Sequence, residues 1–396
     1  MRKIVTTLSC ILILMLLPGC WNIRELNTLS IVQAVGIDRS DDGQITVSLQ
    51  ILKPSAMKST TTEKASGSQV VWVVTSKGKT VFDAIRNASL QTDRKAFFSF
   101  NMVYVLSEEV AREGIADELD FLSRDAELRK LPYVFITKRK AEDIIRSDHE
   151  QEKIPAQAIQ KLAKLSTAAS VIPQVKLIDL LKNLASKTND SIIPGIELVQ
   201  DDQGTTPKNV VKLEGTAVLK RDKMIGWFDT KETRGVLWIQ GKVKSGIIVV
   251  PTPGDETKNS SIEIVKATSR ILPERVDGNL ELTVNVQVVG NLGEQMGYAD
   301  LVKPEPFKVL KEEMTSAIKE EINSAVVKSQ NWDVDILNFG TAVHRKFPKE
   351  WPNLEKNWPT EFQNIKVNVV VDANLHWTGS MKKTIQSSNK EGEDTK

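Results

Sequence analysis

The chain has 396 residues, with 53 basic and 51 acidic side chains, and its formal net charge is +2. This balance, without a long block of either sign, gives no indication of a nucleic-acid partner. Hydrophobic residues make up 40% of the chain, which suffices for several packed cores at a length typical of two or three domains.

The first residues follow the pattern of a secretory signal peptide. Arg2 and Lys3 precede a mainly apolar run, residues 4–17, which stops at Pro18 and Gly19. A membrane-spanning helix needs about 20 apolar residues, so this run is too short to be one, and no later run is longer. We therefore predict that residues 1–19 are removed and that the remaining chain does not span a membrane.

The residue that follows this run is one of only two cysteines. Leu17, Pro18, Gly19 and Cys20 resemble a bacterial lipobox, in which the cysteine thiol receives a diacylglyceryl group before cleavage between Gly19 and Cys20. Two acyl chains hold a protein stably on a bilayer. We predict this anchor on Cys20; the alternative is an ordinary signal peptide with a cysteine near its cleavage point. Because Cys10 is lost with the signal peptide, no free thiol would remain for disulfides, zinc or nucleophilic catalysis.

Residues 20–200 are predicted to form an N-terminal α+β region. Short segments rich in Val and Ile, such as LSIVQAVGID, QITVSLQIL and QVVWVVTS, are typical of strands. A helix follows them, because Thr80 and Asp83 are spaced as in a capping box and Phe82 and Ile85 have helical spacing. Further strands are predicted at FFSFNMVYVL and LPYVFIT.

Helices are predicted in the second half of this region. One runs from Ser107 to about Arg129, before the strand LPYVFIT. Beyond Ala141 the pattern is helical in pieces, with Pro155 and Pro173 at first-turn positions. The polar stretch QDDQGTTPKN then indicates a domain boundary near residue 200.

Two further regions are predicted beyond this boundary. Residues 201–275 form a strand-rich middle region, which begins with a hairpin turning at Arg221 and Asp222 and continues with a helix through ETRGVLWI. Residues 276–379 form a C-terminal α+β domain, with a long helix after Pro304 and a final strand of alternating apolar residues. Residues 380–396 have almost no apolar content and are predicted to be disordered. The predicted fold class is α+β, with three domains of mixed, largely antiparallel sheets flanked by helices.

The sequence gives little indication of catalysis or metal binding. VVTSKGKT ends like a phosphate-binding P-loop, but Val73 replaces its first glycine, which favours a turn and a helix cap. His149, His344 and His376 are far apart, and none has another ligand at metal-binding spacing. No nucleophile motif or pair of catalytic acids is apparent. We therefore expect no enzymatic activity, no metal and no cofactor.

Two charged clusters are candidates for an interaction surface. The first, in SRDAELRK, contains Arg124, Asp125, Glu127 and Arg129, and the second contains Glu232, Arg234 and Trp238. One interpretation is a pair of solvated helix ends, whose local ion pairs contribute less than about 1 kcal/mol each. The other is a surface that docks a partner protein, because Arg and Trp are frequent at the energetic centres of interfaces. A third cluster, of Trp351, Trp358 and Phe362, is predicted to pack in the core.

Four segments resemble the Ger(x)C family of spore germination lipoproteins. They are GCWNIRELN, SRDAELRKLPYVFIT, EGTAVLKRDKMIGWFDTKETRGVLWIQGK and DILNFGTAVHRKFPKEW, in this order between Cys20 and about Gly379. The resemblance implies the C subunit of a germinant receptor, a lipid-anchored α+β protein on the outer face of the inner spore membrane. It also implies two larger partners, the membrane subunits A and B, and no known enzymatic activity.

Two other functions compete with that of a non-catalytic receptor subunit. A solute-binding lipoprotein that delivers a small ligand to a membrane permease usually has two lobes of repeated units with a cleft between them. The consecutive strands predicted between Val210 and Val289 show no such repeat. A lipoprotein enzyme is disfavoured because a catalytic constellation is missing.

Overall fold

The computed structural model describes residues 2–4, 25–54, 56, 70–124, 128–201, 208–301 and 303–377. Cys20, most of the predicted signal peptide, Asp125, Glu127 and the predicted disordered tail lie outside these residues. Within them the protein contains two sheets with packed helices, which confirms the predicted α+β fold.

The first sheet is mixed and has nine strands in the described part of the chain. These are β1 Leu29–Arg39, β2 Ile45–Leu52, β3 Val71–Gly78, β4 Lys95–Phe97, β5 Val103–Ser107, β6 Tyr133–Thr137, β7 Ser191–Asp201, β8 Lys208–Lys220 and β9 Lys223–Phe228. Their order is β3-β2-β1-β5-β6-β7-β8-β9, and the short β4 pairs with the start of β1. The central strands β1, β5, β6 and β7 are parallel, whereas both flanks are antiparallel.

Helices cover both faces of this sheet. They are α1 Val81–Ala88, α2 Glu108–Glu113, α3 Ala116–Arg124, α4 Ala141–Ile145, α5 Pro155–Leu165 and α6 Leu177–Leu184. Helices α1, α2, α3 and α6 share a core with Val35 and Ile37, whereas α4 and α5 share one with Ala34 and Val103. The two cores follow from the strand geometry, because successive residues of β1 point to opposite faces of the sheet.

Two predicted helices of this region differ from the structure. The helix expected from Ser107 to about Arg129 is divided into α2 and α3, because Gly114 has a φ of 133° and ends α2 there. Pro173 does not begin a helix. The chain after it is extended, since the Val134 N–H donates to the Val175 carbonyl, and α6 begins only at Leu177. Pro155 does begin α5, as predicted.

The second sheet has four strands within the described residues, in the order β10-β11-β12-β13. They are β10 Ile247–Thr252, β11 Asp255–Val276, β12 Asn279–Gln295 and β13 Lys366–Trp377. Strands β10 to β12 form an antiparallel meander, and β13 joins β12 as a parallel neighbour.

One face of the second sheet packs against helices. These are α7 Thr230–Ile239, α8 Pro304–Trp332, α9 Phe339–Lys346, α10 Trp351–Lys356 and α11 Trp358–Asn364. The predicted long helix after Pro304 is therefore present, and its buried Leu310, Met314, Ile318 and Ile322 lie in the core at the spacing of one helix face.

The strands predicted for a middle region over residues 201–275 divide between the two sheets. β8 and β9 extend the first sheet, through the predicted hairpin at Arg221, whereas β10 and β11 belong to the second sheet. The strands on either side of the predicted boundary near residue 200 are paired, since Asp201 is the partner of Lys208; residues 202–207 between them lie outside the described residues. Among the described residues, no helix combines the length and apolar content needed to cross a membrane.

Candidate docking surface

An exposed aromatic and arginine cluster lies on helices α1 and α3. Phe82 of α1 stacks on Phe121 of α3, with ring centroids 4.7 Å apart and an interplanar angle of 22°. Phe82 is 43% exposed, and the Arg86 guanidinium lies 4.9 Å from its ring centroid. Arg124 lies one helical turn beyond Phe121. We call Phe82, Arg86, Phe121 and Arg124 the α1–α3 surface.

Arg124 was predicted from the sequence, and the structure places it in solvent. Its side chain is 77% exposed, and its Nε donates to Asp120 one turn earlier, at 2.7 Å. This hydrogen bond raises the pKa of Arg124 and lowers the pKa of Asp120. Arg129 is also exposed, whereas Asp125 and Glu127 lie outside the described residues. The exposed pair leaves the guanidinium available to a partner, because local pairs of this kind are weak in water.

The second predicted cluster is inside the protein, which corrects the expectation of an exposed surface there. Arg234 and Trp238 lie four residues apart and so share one side of α7, which packs against α8. The Trp238 side chain is 1% exposed, and its indole N–H donates to Glu321 of α8 at 2.8 Å. Arg234 donates to the same carboxylate through Nε, at 2.8 Å, and through Nη2.

Glu232, the third member of that cluster, is also used within the protein. It forms a capping box with Asp229, in which each backbone N–H donates to the other residue's carboxylate at 2.8 Å. The Lys328 ammonium of α8 lies 2.6 Å from the Glu232 carboxylate. Sequence reasoning missed Glu321 and Lys328, the two charges on α8 that hold this cluster in place.

The buried Asp335 and the partly buried Asp190 connect the two halves of the fold. Asp190, just before β7, accepts from the backbone N–H groups of Arg221 and Asp335, at 2.7 and 2.9 Å. Asp335 accepts from the N–H groups of Phe339 and Gly340 and from the Trp358 indole. Burial raises the pKa of Asp335 to about 6 although these donors oppose the rise, and burial also raises the pKa of Asp190. The position of these groups indicates a structural role.

The aromatic cluster predicted for the core is buried, which confirms that prediction. Trp351 and Trp358 lie with ring centroids 5.3 Å apart, and Phe362 is 1% exposed. His344 stacks on Trp351 at 5.1 Å. These contacts show that the aromatic side chains pack in the core.

The P-loop-like segment forms a turn and a helix cap, as predicted. Thr80 is the N-cap of α1 and accepts from the Asp83 N–H at 3.1 Å, while the Asp83 carboxylate accepts from the Lys79 N–H at 2.9 Å. Within the described residues, no three His, Cys, Asp or Glu side chains cluster in a position to hold a metal ion.

Comparison with known families accounts for most of the chain. Residues 22–198 match the family model described as "Spore germination protein N-terminal domain". Residues 214–379 match the model described as "Spore germination B3/ GerAC like, C-terminal". The chain belongs to the GerAC family of spore germination proteins. The resemblance seen in the four sequence segments is thereby confirmed.

Relatives of this GerAC family protein are similar over most of their length. The chain is 27% identical to "Spore germination protein KC" of Bacillus subtilis (strain 168) over 394 residues, which cover 96% of each chain. It is 25% identical to "Spore germination protein A3" of the same organism, over 90% of this chain and 94% of the relative. The "Crystal Structure of the GerBC protein" has a TM-score of 0.53 at 18% identity, covering 89% of this chain and 99% of that one. This structural likeness supports the α+β fold.

Proposed function

We propose that this GerAC family protein is the lipid-anchored, non-catalytic C subunit of a nutrient germinant receptor and is required for spore germination. Its partners are the A and B membrane subunits of the same receptor. It is held by diacylglyceryl-Cys20 on the exported side of the membrane, which is the outer face of the inner spore membrane.

The observation that carries this proposal is the lipobox cysteine at the start of a chain that is similar to germination proteins over nearly its whole length. The architecture also supports a subunit role over solute capture. The two sheets have nine and four strands in the described residues, so they are not the repeated lobes usual in a solute-binding protein.

Cys20→Ala is expected to abolish lipidation and to impair germination, because the thiol itself accepts the diacylglyceryl group. Incorporation of labelled palmitate into the protein measures the first effect, and germination of spores that carry the variant measures the second. Cys10→Ala is the matched control, since Cys10 lies within the predicted signal peptide. Palmitate labelling of Cys20→Ala at the parent level would show that the anchor is not at this cysteine.

The α1–α3 surface is proposed as the site that docks a receptor subunit. It combines the exposed Phe82, stacked on the half-buried Phe121, with the exposed Arg124, and aromatic residues and arginine are enriched at the centres of interfaces. Arg234 and Trp238 form no part of this proposed surface, because their polar groups bind Glu321.

Arg124→Glu is expected to weaken binding of the purified protein to the A and B subunits by about tenfold or more, because a reversed charge in a contact opposes association. The melting temperature of the isolated protein should fall only slightly, since the Arg124 side chain is 77% exposed and i,i+4 charge pairs change stability by only about 0.2 to 0.5 kcal/mol.

Arg112→Glu provides the control for this docking experiment. Arg112 forms the same kind of ion pair one turn from Glu108, on the neighbouring helix α2, and lies outside the α1–α3 surface. Its reversal should leave subunit binding unchanged. Equal loss of binding in both variants, or a markedly lowered melting temperature for Arg124→Glu alone, would contradict docking through Arg124.

A further inference from the structure

One end of the first sheet carries exposed apolar and basic residues next to the start of β1. This surface, called here the amino-end surface, comprises the exposed Lys95, Phe100, Arg129 and Leu131 and the half-buried Phe97 and Lys130. Phe100 is 51% exposed and Leu131 is 60% exposed. Large apolar side chains with this exposure, grouped with cations, are typical of a surface that contacts another phase or partner.

Backbone pairing brings these residues to the same end of the sheet. Lys95 and Phe97 are the Cα partners of Leu29 and Ile31 at the start of β1. The ring centroids of Phe97 and Phe100 are 6.0 Å apart. The Tyr133 N–H donates to the Met102 carbonyl at 3.0 Å, at the starts of the parallel strands β6 and β5. Phe100 lies two residues before Met102, and Leu131 lies two residues before Tyr133. Both side chains therefore belong to the amino ends of neighbouring strands.

The position of the proposed lipid orients this end of the sheet. Cys20 precedes Glu25 by five residues, so even a fully extended chain places the two Cα atoms no more than about 17 Å apart. The Glu25 carbonyl accepts from the Thr28 N–H, directly before β1. A lipid on Cys20 therefore keeps the amino end of β1 close to the bilayer.

We propose that the amino-end surface lies on the membrane, with Phe100 and Leu131 in the interfacial region and the basic residues facing anionic lipid headgroups. Apolar side chains bind the interface through the area they bury, and Lys and Arg side chains near an anionic leaflet add electrostatic attraction. Two acidic residues, Glu25 and Asp93, are also exposed in this part of the chain. The orientation rests on the proposed anchor at Cys20, but the contact itself can be measured without the lipid.

The test uses the chain from residue 21, which keeps every described helix and strand from β1 to β13 and contains no cysteine. Leu131→Cys then provides a single attachment point for an environment-sensitive fluorophore. The matched site is Val327→Cys in α8, where Val327 is 55% exposed. The ammonium of the neighbouring Lys328 donates to the backbone carbonyl of Trp227 in β9. The Trp227 indole in turn donates to Glu108, which directly follows the carboxyl end of β5. The two labels therefore report on opposite ends of the first sheet.

Vesicles that contain phosphatidylglycerol are expected to shift the emission of the label at position 131 to the blue and to leave the label at position 327 unchanged. Added salt should weaken the response, because it screens the headgroup charge. Arg129→Glu combined with Lys130→Glu should lower the apparent affinity for these vesicles by about tenfold or more. Lys140→Glu, which reverses an exposed charge beyond the carboxyl end of β6, should not.

Three results would overturn the proposal. These are equal shifts at both positions, no response to vesicles at either position, and a response at position 131 that appears without vesicles as the protein concentration rises. The last result would assign the surface to a second copy of this chain. The vesicle experiment uses a chain that lacks Cys20 and its lipid. Its outcome is therefore independent of whether Cys20 incorporates labelled palmitate.

Discussion

Glu321→Ala is expected to lower the free energy of unfolding by about 3 to 5 kcal/mol, because it leaves the Arg234 guanidinium without its buried partner. The Glu321 and Arg234 side chains are 9% and 15% exposed. The substitution also removes the acceptor of the buried Trp238 indole. Chemical denaturation of the purified protein, monitored by circular dichroism, measures the change.

A neighbouring ion pair on the same two helices provides the control. Lys231 of α7 and Glu320 of α8 form a salt bridge in which the Glu320 side chain is 70% exposed. Glu320→Ala should therefore leave stability almost unchanged, since water replaces the lost partner. Similar losses in Glu320→Ala and Glu321→Ala would show that burial does not determine the effect.

Gly235→Ala is expected to destabilise the protein by about 3 kcal/mol, at the upper end of the usual cost of overpacking a core. Gly235 lies in α7 where it crosses α8. An added Cβ would overlap the carbonyl oxygen of Glu321 and lie 2.7 Å from the Ala325 Cβ. The overlap involves a backbone atom, so a change of side-chain rotamer cannot relieve it, and the two helices must move apart.

Gly293→Ala in β12 is the matched substitution for this experiment. A Cβ at that position meets only the Ser261 carbonyl oxygen, at an ordinary contact distance of 3.6 Å. Its effect should stay within about 0.5 kcal/mol. If Gly235→Ala instead stabilises the protein, as alanine does in an unhindered helix, the close packing of α7 on α8 is wrong.

Local patterns in the sequence predicted individual elements well. The spacing of Leu310, Met314 and Ile318 predicted α8, and the alternation of Val367, Val369 and Val371 predicted β13. In both cases the pattern arises from contact with the core, which repeats with the period of the element itself.

The partners of charged residues could not be predicted in the same way. Arg234 was a candidate for a docking surface because Arg and Trp are frequent at the centres of interfaces, whereas its acceptor lies 87 residues later in the chain. The signal that could have identified the acceptor is the position of Glu321 beside Ile318 and Ile322, within the apolar stripe of α8. A carboxylate on the buried side of a helix requires a partner, and an arginine is the usual one.

The exposure of Phe82 was also missed, although Arg124 of the same surface was a candidate from the sequence. Phe82 was assigned to the helix face of Ile85, but the buried residues of α1 are Val81, Ala84, Ile85 and Ala88. A buried face with Phe82 and one with Val81 both fit helical spacing. A helix of eight residues is too short for the sequence pattern to show which of these two adjacent residues is buried. Packing against the first sheet makes that choice.

The pairing of β13 with β12 has a consequence for the order in which the protein forms during translation. The chain is synthesised from its N-terminus, so β12 and α8 leave the ribosome well before residue 366, where β13 begins. A parallel pair between Glu281 and Lys366 closes a long loop, which slows its formation. Until the final strand arrives, β12 presents an open edge that other chains can pair with. Completion of the second sheet therefore waits until β13 has been synthesised, and a message truncated before this strand yields a chain prone to aggregation.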